Sequence, residues 1–303
     1  MNIQNLNNEF AINGHISFSE GRGDLPVIEI QNQFSSATIS LYGGQVLSYR
    51  PVDDSQDMFF LSELAYYKPG KAIKGGVPIC WPWFGPDPEN KGRPAHGFAR
   101  DSMWTMLASE QLVTGQTYIR MGLADSEKTR LLWPYEFELT LDVMVGEQLQ
   151  LILNTKNTGA EPFSITQALH SYFRVGDISR VAVQGLEGVS YIDKLDDGKI
   201  KLQQDAVHID KEADRIYTGT PEQLTIQDEV LKRHLILSAD NSSTTVVWNP
   251  WIEKTAAMAD LNADDYNYFL CVETANAANE TIALAPGEEY SMGFECISDV
   301  AAE

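Results

Sequence analysis

Phe137-Glu138-Leu139-Thr140-Leu141-Asp142-Val143-Met144-Val145-Gly146-Glu147-Gln148-Leu149-Gln150-Leu151-Ile152-Leu153-Asn154-Thr155 decides the fold class. Apolar residues stand at every second position on both sides of Gly146-Glu147, so the stretch predicts a hairpin, Phe137 to Val145 and Leu149 to Thr155, with one face on a core. The same grammar recurs along the chain. Val27 to Arg50 reads as two strands joined at Gly43-Gly44, Met58 to Leu61 as a short strand, and Ser179 to Val183 and Leu235 to Ser238 as further strands. Thr244 to Trp248 is expected to pair with Leu235 to Ser238 across Asp240-Asn241, and Glu289 to Ile297 to close the sheet. Helical signals are confined to Asp125 to Leu132 and Glu222 to Leu231, each opened by an acidic residue suited to a helix N-terminus. Short strands with few short helices predict an all-β fold, a large antiparallel β-sandwich, built as one domain over 1–303. Residues 1 to about 20 and the last few are expected to be arms.

Composition narrows the function classes. A formal charge of -21 repels phosphate backbones and anionic lipid surfaces, so neither nucleic acid nor membrane is an expected partner. The opening Met1-Asn2-Ile3-Gln4-Asn5-Leu6-Asn7-Asn8 carries no basic segment ahead of an apolar run, and three dispersed cysteines form no disulfide framework. A cytoplasmic monomer without metal or cofactor is the expectation. His15, His208 and His234 show no ligand spacing, and Cys80 and Cys271 read as small buried residues.

Two strand-like runs carry titratable groups where a core strand would have none. Leu169-His170-Ser171-Tyr172-Phe173 holds an imidazole on the face shared by Thr166, Ala168 and Tyr172, and Phe269-Leu270-Cys271-Val272-Glu273-Thr274-Ala275-Asn276 holds a carboxylate. They are read as meeting in one cleft as general acid and general base. Between the strands, the Gly, Pro and Trp-rich segment from Lys68 to Arg100 is a long structured loop, a common place for function. Lys68, Lys71, Lys74, Lys91, Arg93 and Arg100 outnumber Asp87 and Glu89 by four, a cationic island suited to an anion. Trp81, Trp83, Trp248 and Trp251 are either core residues or a platform for a sugar face.

These pieces resemble the hexose-6-phosphate mutarotases (glucose-6-phosphate 1-epimerases) of the aldose 1-epimerase superfamily. The resemblance lies in Gly75-Gly76-Val77-Pro78-Ile79-Cys80-Trp81-Pro82-Trp83-Phe84-Gly85-Pro86, Pro94-Ala95-His96-Gly97-Phe98-Ala99-Arg100 and Ala168-Leu169-His170-Ser171-Tyr172-Phe173. It continues in Tyr191-Ile192-Asp193-Lys194, Ala213-Asp214-Arg215-Ile216-Tyr217, Trp248-Asn249-Pro250 and Cys271-Val272-Glu273-Thr274-Ala275, in family order from roughly Ile30 to Ile297. It implies a galactose mutarotase-like supersandwich that interconverts the anomers of an aldohexose 6-phosphate, with His170 as acid and Glu273 as base. It further implies substrate contacts from Lys74, His96, Arg100 and Asp214. Lys74 stands where the family usually has arginine and keeps the charge without the planar fork, and Ala95 replaces a glutamine found in some relatives.

Mutarotation needs one proton removed from the anomeric hydroxyl and one given to the ring oxygen, each transfer worth about 10²–10⁴ in rate. The expectation is that Glu273 stays ionised and holds His170 protonated, with kcat/KM falling at low pH as Glu273 protonates and at high pH as His170 deprotonates. Three other readings use the same residues: a mutarotase of unphosphorylated sugars such as galactose, a carbohydrate-binding module without turnover, and a glycoside hydrolase. The last usually needs two facing carboxylates rather than a carboxylate and an imidazole.

Overall fold

The computed structural model describes residues 2–300 and is built almost wholly of antiparallel strands. The sequence hairpin forms as Phe137–Val145 and Leu149–Asn157, with Phe137, Leu139, Leu141, Val143, Val145, Leu149, Leu151 and Leu153 all buried. These strands belong to an eight-stranded sheet running in the order Val181–Gln184, Gln223–Asp228, Arg233–Asp240, Glu289–Val300, Leu149–Asn157, Phe137–Val145, Thr117–Ala124 and Thr105–Gln111. A second eight-stranded sheet runs Lys199–Leu202, Ser190–Asp193, Ala213–Thr218, Thr244–Asn249, Phe269–Asn276, Gln167–Leu169, Ile79–Cys80, with Tyr172–Arg174 also on Phe269–Asn276. Four N-terminal strands, Ile16–Glu20, Pro26–Gln31, Ser35–Ser40 and Gln45–Pro51, form a further sheet. The core is dominated by one large cluster, whose fully buried rings include Trp81, Trp104, Phe137, Phe173 and Phe294. Burying a single Leu, Ile or Phe side chain there contributes about 1.5–3 kcal/mol.

The burial patterns of the two large sheets differ, and the difference places the function. Phe137–Val145 alternates between buried and partly exposed residues, as a sheet with one wet face does. Every residue of Thr244–Asn249 and of Phe269–Asn276 is buried, so the middle of that sheet is covered on both faces.

Several sequence expectations give way here. Glu222 to Leu231 is the strand Gln223–Asp228 and a turn, because Leu224, Ile226 and Asp228 are buried while their neighbours are not, a period of two. Asp125 to Leu132 does hold a helix, Glu127–Leu132, capped by Ser126 and Thr129 bonding each other's backbone N–H. Thr244 to Trp248 does not pair with Leu235 to Ser238: the turn at Asp240-Asn241 carries the chain from one sheet to the other, where Thr244–Asn249 lies between Ala213–Thr218 and Phe269–Asn276. Glu289–Val300 runs through the middle of its sheet rather than closing it. Val27 to Arg50 spans three strands, not two, and Met58 to Leu61 makes only isolated bridges, Phe59 to Phe173 and Leu61 to Gly75. The N-terminal segment is not an arm: Asn2 caps the helix Ile3–Phe10, Leu6 is buried, and Ile16–Glu20 pairs with Pro26–Gln31. Among the described residues no helix is long and apolar enough to cross a membrane.

Candidate active site

One strand pair generates the site. Leu169 pairs with Thr274 and Tyr172 with Cys271, and the same register carried between them sets His170 opposite Glu273. Opposed residues on adjacent strands share a face, and here Nε2 of His170 lies 3.4 Å from Oε1 of Glu273. The two groups are thus neighbours on one sheet face rather than partners meeting across two. The His170 N–H donates to the Pro78 carbonyl at 2.9 Å, and the imidazole stacks on Tyr172 with centroids 4.8 Å apart while Trp248 meets it edge-on. Nδ1 of His170 and Oε2 of Glu273 are buried without a hydrogen-bond partner. Such atoms cost about 1–3 kcal/mol each, which a bound hydroxyl would relieve.

Burial sets the protonation of the pair, in the opposite sense to the sequence expectation. It pushes the Glu273 carboxyl well above the ordinary glutamate value, and the nearby Asp214 carboxylate pushes the same way against Arg100. Burial likewise pulls His170 well below the ordinary histidine value, with Arg100 and Lys74 adding repulsion. Taking two charges out of water outweighs their attraction here, so in the empty site the pair shares one proton held on the carboxyl.

The remaining expected residues converge on the same cavity of about 270 Å³, which is lined by Lys74, His96, Arg100, His170, Asp214 and Glu273. Asp214 lies opposite Trp248, and Trp248 opposite Cys271, on the sheet face that bears Glu273. Burial raises the Asp214 carboxyl, partly offset by Lys254 and Lys194. His96 adopts a left-handed backbone, φ 66°, and its N–H donates to the Gly85 carbonyl at 2.7 Å. The Gly85 N–H donates back to His96 Nδ1, so the neutral ring carries its proton on Nε2. Burial, then Arg100 and Lys74, depress His96 to about 3, which fixes it as an uncharged donor. The residue that follows is Gly97 at φ 71°, where a Cβ would stand 1.9 Å from the Trp81 carbonyl oxygen, so only glycine fits.

The cationic island resolves into three parts. Arg93 and Lys91 are neutralised by the loop's own Asp87 and Glu89, and Lys68 and Lys71 lie over the Tyr66 ring. Only Lys74 and Arg100 reach the cavity. Lys74 Nζ lies 3.5 Å from Asp260, while Arg100 donates to the Ala95 carbonyl and has no carboxylate partner among the described residues.

Of the four tryptophans, Trp248 alone lines the cavity; Trp81 is buried against Phe98, Trp133 and Phe137, and Trp251 packs on Tyr266. Trp83 faces a larger concavity of about 740 Å³ with Trp133, Tyr135 and Phe163. That groove contains no histidine, and its one cation, Arg93, is held by Asp87, so the smaller cavity is the chemical one. Burial pushes the thiols of Cys80, to about 12, and Cys271 up, which keeps both protonated. Sequence reasoning missed Lys254, Phe84 and Met258, which also line the cavity. Lys254 sits on the helix Trp251–Ala257 and pairs with Glu212 at 2.7 Å; its signal was its place six residues after Trp248.

The comparisons agree with this architecture. The family described as aldose 1-epimerase matches residues 26–295. A candidate glucose-6-phosphate 1-epimerase of Cenchrus ciliaris is 38% identical over 265 residues, 84% of this chain and 78% of that protein. Its counterpart from Escherichia coli K12 is 36% identical over 256 residues, 84% of either chain. The crystal structure of a candidate mutarotase from Salmonella typhimurium superposes with a TM-score of 0.89 at 32% identity, over 96% of each chain. The matched span holds every residue lining the cavity, and the chain belongs to the aldose 1-epimerase family.

Proposed function

We propose that this protein interconverts the α and β anomers of an aldohexose 6-phosphate, glucose 6-phosphate being the sugar in the names of its relatives. The observation that carries the reading is the buried His170–Glu273 pair, each with an unpartnered atom, in a cavity that also presents Lys74 and Arg100. On substrate binding the pair's one proton passes from Glu273 to His170 across the 3.4 Å between them; in ring opening Glu273, now the carboxylate, takes the proton of the anomeric hydroxyl as the C1–O5 bond breaks, and His170 gives its proton to O5. The bond's electrons stay on O5, and C1 becomes an aldehyde. Rotation about C1–C2 turns the other face to the returning O5, and closure sends each proton back.

The burial shifts act on the charge state of the pair at each step. Opening converts an ionised pair, carboxylate and imidazolium, into a neutral one, and the desolvated wall favours the neutral pair. The open-chain stage thus returns the pair to the uncharged state that burial favours in the empty site. His96 supplies an uncharged donor to a sugar oxygen, Asp214 accepts from a hydroxyl, and Trp248 offers a ring face. Lys74 and Arg100 receive the phosphate, the local attraction a dianion needs near a chain of net charge -21.

Two-dimensional exchange NMR of anomer interconversion tests the reading, comparing kcat/KM for glucose 6-phosphate and glucose at fixed ionic strength. The phosphorylated sugar is expected to be preferred, and Lys74→Ala and Arg100→Ala to raise its KM with little change in kcat, because a non-reacting phosphate is bound alike in ground and transition states. No preference in the wild type would replace the phosphate reading with the mutarotase of unphosphorylated sugars. Absence of turnover on either would leave a binding module.

A further inference from the structure

We infer that Asp260 is a positioning residue for Lys74, holding its ammonium at the wall where the sugar's phosphate docks. A lysine is a point charge on a four-carbon stem, and unless something fixes it the binding of an anion must first order that stem. Three backbone pins and one ion pair do the fixing. Ser62, fully buried, donates its N–H to the Lys74 carbonyl at 3.1 Å and its Oγ–H to the Asp260 carbonyl at 2.7 Å. The same Oγ accepts from the Leu64 N–H at 3.1 Å, so the serine is itself held. Ser62 thereby clamps two segments nearly two hundred residues apart, and across that clamp Lys74 Nζ and Asp260 Oδ2 stand 3.5 Å apart, both side chains largely buried.

The charges around Lys74 explain why a carboxylate is needed. Burial disfavours its ammonium, Asp260 favours it, and Arg100 repels it; Cys271 on the strand behind and the rings of His96 and His170 are the other titratable groups coupled to it. His96 and His170 are held neutral and Cys271 keeps its proton, so they contribute no charge that could replace Asp260. Among the described residues Asp260 is the one carboxylate within ion-pair reach of Lys74. Its distance leaves the ammonium's other donors free for a ligand.

The inference rests on the phosphate reading above, and a double-mutant cycle separates the two. Asp260→Asn is expected to raise KM for glucose 6-phosphate about 3- to 10-fold with kcat within a factor of two, the cost of ordering one long side chain on binding. The preference for glucose 6-phosphate over glucose should then fall further as pH rises, since Lys74 loses the neighbour that keeps it charged. Asp260→Glu should restore part of the preference, and Asp260→Asn should change nothing more in a Lys74→Ala background. A wild type without preference for the phosphorylated sugar overturns the phosphate reading itself. A wild-type preference that Asp260→Asn preserves or strengthens, or an equal loss on both sugars, overturns this inference alone.

Discussion

At the scale of single residues, the proposed chemistry rests on the pair His170 and Glu273. Either His170→Asn or Glu273→Gln is expected to lower kcat by about 10² or more without loss of fold, measured as anomer exchange with circular dichroism as the control. The pH profile tells the two protonation schemes apart. With ordinary values of 4.5 and 6.5, the state holding an ionised glutamate and a charged histidine would exist only in the narrow interval between them. With Glu273 pushed up and His170 pulled down, one proton stays on the pair across a broad neutral range. Activity falls at low pH when the histidine takes a second proton and at high pH when the carboxyl loses its own, so the two limbs exchange their owners relative to the sequence expectation. Measured on glucose, to avoid the phosphate's own titration, kcat/KM should show a broad plateau through neutrality; a narrow bell between 4.5 and 6.5 would refute the assignment. Both residues were legible in the sequence because a titratable group in an otherwise apolar strand stands out. Their proton order was not, since it depends on burial contributed by Trp248 and His96, which fold in from elsewhere. Lys254 was equally hidden, a lysine on a short helix like any surface lysine until the helix is placed.

At the scale of elements, the sequence spoke clearly where a period was long and silently where pairing crossed sheets. Phe137–Val145 with Leu149–Asn157 repeats its alternation over nine residues per strand, enough to fix type and partner. Gln223–Asp228 offers only Leu224 and Ile226 as alternating apolar residues before Val230 and Leu231 blur the pattern into a helix-like one. The partner of Thr244–Asn249 was out of reach because a turn does not say whether the next strand stays in the same sheet. The loop that carries His96 makes a prediction of its own. Gly97→Ala would force a Cβ into the Trp81 carbonyl at a left-handed φ, so it should destabilise by about 1–3 kcal/mol and displace His96. Thermal unfolding and kcat/KM should fall together, whereas a fully active, equally stable variant would show that the loop can move away.

At the scale of the whole molecule, one buried ion pair ties the periphery to the sandwich. Arg233, the first residue of the strand Arg233–Asp240, donates to Asp54 at 2.6 Å and to the carbonyls of Asp57 and Arg174, and Ser298 donates to the same Asp54 oxygen. Burial alone would raise the Asp54 carboxyl, but the Gln56 N–H and Arg233 outweigh it and hold it below the ordinary 3.8. A carboxyl depressed in the folded state stabilises above its unfolded value and loses that contribution as pH falls through the folded one. Arg233→Met strands a buried carboxylate, so unfolding in urea at neutral pH should come earlier by about 3–5 kcal/mol. A loss under 1 kcal/mol would mean that water reaches Asp54 freely.

The register that sets His170 opposite Glu273 also sets Glu273 opposite Val246, Val246 opposite Ile216, and Ile216 opposite Ile192. Slipping Phe269–Asn276 or the segment that carries His170 by one position would turn its side chains to the opposite face and take the carboxylate or the imidazole out of the cavity. Molecules mispaired at either of these two strands therefore contribute no activity to a refolded sample. The anomerisation rate recovered after denaturation counts correctly paired chains one by one, making the enzyme's own turnover a fidelity assay for β-sheet assembly.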